Sequence, residues 1–381
     1  MGFEKARGAL HTGSAFGTMA LTDSRREHAM PGKSSRRPRL VVKPIGTVEE
    51  LEAKLSEPTP GVVDAMAKLD GDLLILGAGG KVGPTLAQMA ARACAEAGVK
   101  RTIIGVSAVY SREAKQRLKK LGVETIKTDL LAPGAMEKLP DAPNVMYMLG
   151  MKFGSTGAEW NTWGVNVHLA GLAAGRYRRS RIVAFSSGNI YPFTPIGAAA
   201  TEATPPSPIG EYAMSCLGRE RMFDYYAHNA GTKVLHFRLN YAVELRYGIV
   251  YDIGSKVWAG TPIDVTMGYV NVVWQGYVNA VALQGFALAA SPPAILNVAG
   301  PETVPVRWMA ERFGALMGKT PVFEGEEAPT ALQSNAAPCH KRFGYPQAGV
   351  DTVIEWVADW IMRGGASLGK PTHYETRDGK F

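Results

Sequence analysis

The chain has 381 residues, 46% of them hydrophobic, enough for one large α/β core or two modest cores sharing an interface and too many for a wholly disordered protein. Its net charge of +8 suggests nucleic acid, yet residues 1–45 alone carry nine Lys/Arg against Glu4, Asp23 and Glu27, so the body is near neutral and presents no basic binding face. Cys94, Cys216 and Cys339 are too few and too scattered for a disulfide framework or a zinc site, which fits a reducing, cytoplasmic setting and no bound metal.

Residues 1–45 are rich in Arg, Ser, Pro and Gly and lack apolar periodicity. They read as a disordered, solvated tail, or a translated upstream stretch with Met30 as the start, rather than a transit peptide or secretory signal. A polar helical lead-in at 46–70 precedes "DLLILGAGGKVGPTLAQMAARACAEAG", where a short apolar run, a glycine-rich turn and a helix closing at Gly98 make a strand–loop–helix unit. Gly77, Gly80 and Gly83 have GxxGxxG spacing. Glycines there tighten the turn and let backbone approach a pyrophosphate at the helix N-terminus, with Lys81 and Val82 among the contacting positions.

The next strand, "RTIIGVS", ends at Ser107, where an NAD site usually carries an acidic residue. A small side chain with Arg112 nearby leaves room for a 2′-phosphate, so the cofactor is read as NAD or NADP, with a lean to NADP. A charged helix at 111–121, "VETIKTDL", "NVMYMLG", a helix near 161–175, "RIVAFSS", a helix near 210–229 and "KVLHFRLN" follow. Strands alternating with helices predict an α/β fold with a Rossmann-type, doubly wound parallel sheet. Val265–Pro301 has no charged residue, but Asn271, Gln275, Asn279 and Gln284 recur through it and Pro292-Pro293 breaks it. It therefore reads as a buried strand and helix rather than a membrane span.

In this order the motifs resemble the extended short-chain dehydrogenase/reductase family, in its NAD-dependent epimerase/dehydratase branch, over roughly residues 71–360. Asp129-Leu130 matches the family's adenine-contacting Asp-Leu pair. "MLGMKFG", with Gly150 and Lys152, resembles the loop after the fourth strand of UDP-galactose 4-epimerases. Asn166 in "WGVNVHLAG" matches the helix asparagine that braces the site, and "VAFSSGNIYP" makes Ser187 the catalytic serine. Tyr212 in "EYAMSCLGRE" then follows at a spacing typical of the catalytic tyrosine. "FRLNYAV", with Asn240, resembles the strand that leads to the substrate side, where Arg238 and Arg246 are weighed as ligands of a polar or anionic substrate, Arg246 equally as half of a surface ion pair. His168 and His236 read as packed histidines.

The resemblance implies hydride transfer to or from a nicotinamide, with Ser187 orienting the substrate oxygen and Tyr212 exchanging its proton. The chain departs from the pattern at one position. Where the family has a lysine one turn after the tyrosine, here stands Cys216. Position i+4 faces the same pocket, so three explanations compete: Lys152 supplies the missing charge, an oxidised cofactor supplies it, or catalysis is abandoned. A nucleophilic Cys216 is disfavoured, since no histidine lies near it in sequence.

The expected organisation is a dinucleotide-binding domain at 71–240 and a mainly substrate-binding part at 241–381. The expected function is an NAD(P)-dependent epimerase, dehydratase or dehydrogenase acting on a small-molecule sugar or sugar derivative. A catalytically silent dinucleotide-binding sensor or scaffold is the alternative. No nucleic acid or membrane partner is expected, and a homodimer is the assembly considered.

Overall fold

The computed structural model describes residues 43–380 except 153 and 155, so the expected disordered tail falls, all but its last three residues, outside the described residues. In the lead-in, α1 (Val48–Leu55) and α2 (Pro60–Lys68) are each capped by a threonine. The Thr47 and Thr59 hydroxyls accept from the backbone N–H groups of Glu50 and Val62. The apolar run that follows is β1 (Leu73–Leu76), whose four side chains are all buried because helices cover both faces of its sheet.

Beyond it the chain forms α3 (Gly83–Glu96), β2 (Ile103–Ser107), α4 (Arg112–Lys120), β3 (Glu124–Lys127) and β4 (Asn144–Tyr147). The helix expected near 161–175 is three segments: α5 (Glu159–Trp163), a π-helical turn at Gly164–His168 and α6 (Leu169–Arg176). Then come β5 (Arg181–Ser187), α7 (Gly210–Ala230) and β6 (Lys233–Leu239). Gly231 ends α7 in the left-handed conformation, at φ +70°, the usual glycine stop.

The remaining helices include α8 (Ile249–Ala259), α9 (Gln275–Gln284), α10 (Val306–Met317) and α11 (Val350–Met362), and β7 spans Ala294–Val298. The seven strands lie in the order β7-β6-β5-β4-β1-β2-β3, all parallel. Strand order reverses between β1 and β4, which opens a crevice outside their carboxyl ends.

The charge-free stretch supplies α9 and β7, so the large sheet takes its seventh strand from beyond residue 240, the expected domain boundary. Among the described residues no helix is long and apolar enough to cross a membrane. A second core forms around α8, α10 and α11, with Ile253, Val257, Phe313, Ile354 and Val357 fully or almost fully buried. Glu52 of α1 joins the two parts. It accepts from Gln88 Nε2 of α3 at 2.9 Å and from Arg246 Nη1 at 2.9 Å. Arg246, which also pairs with Glu244 at 3.1 Å, is thus a largely buried structural cation rather than a surface one.

Candidate active site

The three glycines of the GxxGxxG spacing are needed for three different steric reasons, and Gly79 between them has no room for a Cβ either, which would lie 1.9 Å from the Val109 carbonyl oxygen. Gly77 has φ +95°, and a Cβ on it would lie 2.9 Å from the Met148 carbonyl. A Cβ on Gly83 would lie 2.6–2.7 Å from the Ala78 backbone, where α3 packs onto the loop. Gly80 is exposed, and a Cβ there would meet only the Gly77 carbonyl oxygen, at 3.3 Å. One tight turn, one open approach and one close helix contact are what a pyrophosphate-binding turn requires. No side chain caps the first turn of α3, so its N-terminal N–H groups and positive dipole end are not satisfied by a side chain. The loop therefore fits a dinucleotide.

Across the crevice, α7 carries Tyr212, Cys216 and Arg219 at i, i+4 and i+7, one face of the helix. The Tyr212 side chain lies beside Ser187, the last residue of β5, and beside the Cys216 thiol, both near enough to act on the ionisation of its hydroxyl. Ser187 Oγ donates to Asn189 Oδ1 at 3.0 Å and accepts from Asn189 N at 3.1 Å, which fixes its rotamer. Cys216 is fully buried, and burial raises its thiol further above neutrality, so it is a packed neutral group and no nucleophile.

Asn166 holds the neighbouring loop in place. Its Oδ1 accepts from Met151 N at 2.8 Å, and its Nδ2 donates to Met151 O at 2.9 Å and to Ser215 Oγ at 2.8 Å. The π-helical turn brings it there, because widening the helix by one residue shifts the face it presents. Arg219, which the sequence reading passed over, donates to Asn166 Oδ1 at 2.7 Å and to Phe185 O at 2.9 Å. Gly150 makes room for it: a Cβ there would lie 2.9 Å from Arg219 Nη2. The i+7 spacing from Tyr212 was the available signal, but its burial depends on partners from three other segments.

Burial drives the Tyr212 hydroxyl well above the ordinary tyrosine range, and the neighbouring Cys216 adds to this, while Arg219 and the Ser187 hydroxyl pull it back. The resting side chain is a neutral phenol. Lys152 sits on the loop after β4 with its ammonium 5.9 Å from the Tyr212 ring centroid, donating to the Thr372 carbonyl at 3.0 Å. Burial lowers its pKa to about 8, against the pull of Cys216, Glu375 and Asp252, so it is mainly charged at neutral pH. Lys81 reaches from the glycine loop to lie 3.5 Å over the Tyr247 ring, and burial together with Lys370 and Lys152 brings it down to about 7. Val82, beside it, is the N-cap of α3.

The other expected site residues are more dispersed. Ser107 ends β2 with its hydroxyl donating to Val109 O at 2.9 Å, and Arg112 is exposed at the start of α4. Asp129 is exposed and accepts from Leu131 N at 3.0 Å, whereas Leu130 is a core residue. Asn240 lies against Gly188 but donates its amide to Asn271 Oδ1 at 3.1 Å and to Leu332 O at 3.3 Å. Arg238 is not placed for substrate: it is buried in a two-pronged pair with Glu220 at 3.0 and 2.8 Å and donates to Tyr191 Oη. His168 is exposed, contrary to the packed histidine expected, because the π turn rotates it outward; His236 is buried and pairs with Asp224 at 2.7 Å. A groove of about 690 Å³ between the π turn, α6 and α7 lies on the outer surface away from this chemistry. Among the described residues no cluster of three or more His, Cys, Asp or Glu could hold a metal ion.

Residues 73–243 match the NAD dependent epimerase/dehydratase family. No curated protein matches the chain by sequence. Solved structures similar in fold include the Thermotoga maritima UDP-glucose 4-epimerase with UDP-glucose, at 14% identity and TM-score 0.65 over 77% of this chain and 99% of that one. The Bacillus cereus UDP-glucuronic acid 4-epimerase with NAD has 13% identity and TM-score 0.64, again over 77% and 99%. The Thermus thermophilus UDP-glucose 4-epimerase with NAD has 19% identity and TM-score 0.62 over 76% and 98%.

Proposed function

We propose, for a chain whose residues 73–243 match the NAD dependent epimerase/dehydratase family, that it is an NAD(P)-dependent enzyme moving hydride at a carbinol or carbonyl carbon of a sugar or sugar derivative. The observation that carries this reading is the juxtaposition of Ser187, at the carboxyl end of β5, with Tyr212 of α7, across the crevice from the open glycine turn. Bound NAD or NADP supplies the hydride acceptor and donor. The pyrophosphate would be held by the Gly77–Gly83 turn and the first N–H groups of α3, and the adenosine ribose would meet Ser107. The lack of a carboxylate at Ser107, with Arg112 nearby, keeps NADP open beside the NAD of the structural neighbours.

Within the site, Ser187 fixes the substrate oxygen and Tyr212 exchanges its proton. As a neutral phenol Tyr212 is set to donate to a carbonyl oxygen. In the oxidising direction it must become a tyrosinate, and Arg219 and Lys152 together replace the absent lysine in stabilising that charge. The catalytically silent sensor remains the second reading, because Cys216 is a neutral group where the resemblance leads one to expect a cation.

The test is incubation of the purified protein with NAD, and separately NADP, and sugars deuterated at the reacting carbon, UDP-glucose among them, followed by NMR of sugar and cofactor. An epimerase returns the deuterium to the inverted carbon, and a dehydrogenase leaves it on the nicotinamide ring. Tight cofactor binding with no conversion of any sugar would favour the sensor.

A further inference from the structure

After α11 the described residues pack back onto the body of the protein. Residues 368–380 run back over the carboxyl edge of the sheet, fastened at points far apart in sequence. Leu368 N donates to Arg246 O at 3.1 Å. Thr372, 6% exposed, donates from both its backbone N–H and its hydroxyl to Asp252 Oδ2 of α8, at 2.7 and 2.6 Å. Tyr374, 3% exposed, donates to Asp264 O at 3.1 Å. Arg377 donates to Thr330 O and Thr330 Oγ1 at 2.8 and 2.7 Å and lies 4.2 Å over the Phe193 ring. Gly379 packs so closely on Gly210, the first residue of α7, that a Cβ on either would enter the other's backbone.

Between those anchors, the Thr372 carbonyl accepts from Lys152 Nζ at 3.0 Å. Asp252 therefore grips Thr372 from one side while Thr372 grips Lys152 from the other. A carbonyl held by two bonds on its own residue is a fixed acceptor, and an ammonium on a four-carbon stem gains a defined place from it. We propose that this C-terminal strap is a working part of the active site, in which Thr372 is a positioning residue that seats the Lys152 ammonium in the wall facing Tyr212 and Cys216. The proposal rests on the reading that Lys152 serves Tyr212. The groups that act on Lys152 are Tyr212 and Cys216 from α7, Asp252 from α8, Glu375 from the strap and Lys81 from the glycine loop. The two carboxylates favour its charged form, and Lys81 opposes it.

The strap can be tested without a known substrate by competitive labelling of the full chain with trace acetic anhydride from pH 6 to 10, reading Lys152 by peptide mass spectrometry. In the parent protein Lys152 is expected to react at least tenfold more slowly than exposed lysines at equal ionisation. Thr372→Ala, which loses the hydroxyl bond to Asp252 that holds the carbonyl in place, and Asp252→Asn should raise its reactivity severalfold and shift its titration, while Thr372→Ser, which keeps that hydroxyl, should match the parent. Circular dichroism checks that each variant is folded, and a chain stopped after Gly365 gives the full effect if it folds. Unchanged Lys152 labelling in folded Thr372→Ala and Asp252→Asn overturns the proposal. If labelling responds as expected but Lys152→Met keeps full turnover, the strap stands as the seat of Lys152 and the catalytic reading of Lys152 falls.

Discussion

The glycine turn and the Tyr212 pocket face each other across one crevice and are built on opposite plans. The turn lies within seven residues, Gly77 to Gly83, and what it requires is the absence of side chains at defined points. The pocket draws on β5, the loop after β4, the π turn, α7, α8 and the C-terminal strap, and its Lys152–Thr372 bond joins positions 220 apart. A local steric site tolerates change everywhere except at its few contacts. A pocket assembled from distant segments is coupled, so a change at one wall is felt at another.

The largest effect expected is that of Tyr212→Phe, which removes the hydroxyl proposed to exchange the proton and should lower turnover by about two to four orders of magnitude while leaving cofactor affinity nearly intact. Steady-state rates beside calorimetric cofactor titration would show whether the two regions are separable in this way; equal losses in both would break the comparison. Next come two glycine variants that separate binding from folding. Gly80→Val places a side chain in the open approach and should weaken NAD or NADP binding by about two orders of magnitude, the scale of an overpacked contact, with little change in melting temperature. Gly83→Ala meets the Ala78 backbone instead and should cost roughly 1–3 kcal/mol of stability, read by denaturant unfolding. If Gly80→Val lowers stability as much as Gly83→Ala, the open side assigned to the turn is wrong.

Lys152→Met should depress turnover at pH 7 about tenfold. The sign of its pH dependence follows from the lowered pKa: the ammonium is present below about pH 8 and is lost above it, so parent activity should fall as pH rises through that value. The variant should lack that limb of the profile. Cys216→Ala should change turnover by less than about threefold, because a neutral buried thiol gives a tyrosinate little stabilisation. An inactive Cys216→Ala beside a normal Lys152→Met would reverse the roles assigned to the two positions.

Much of this was open to a reader of the sequence, for a physical reason that also marks where reading stops. Apolar runs, glycine spacing and helix periodicity are consequences of neighbours along the chain, so β5 at Arg181–Ser187 and α7 from Gly210 stand where the pattern places them, and the glycine turn carries its steric logic in its own seven residues. Tyr212 and Cys216 could be put on one helical face by counting four residues. What counting could not reach was the state of each charged group, which depends on what is packed against it from elsewhere. Arg238 sits where a substrate ligand is expected but is closed off by Glu220, and Arg219, unmarked in the sequence, is enclosed by Asn166, Phe185 and Gly150. The polar stretch after α11 has no periodicity to announce a role. Its path over the site is decided by Asp252, Asp264 and Thr330, residues brought to one edge of the sheet only by the completed fold.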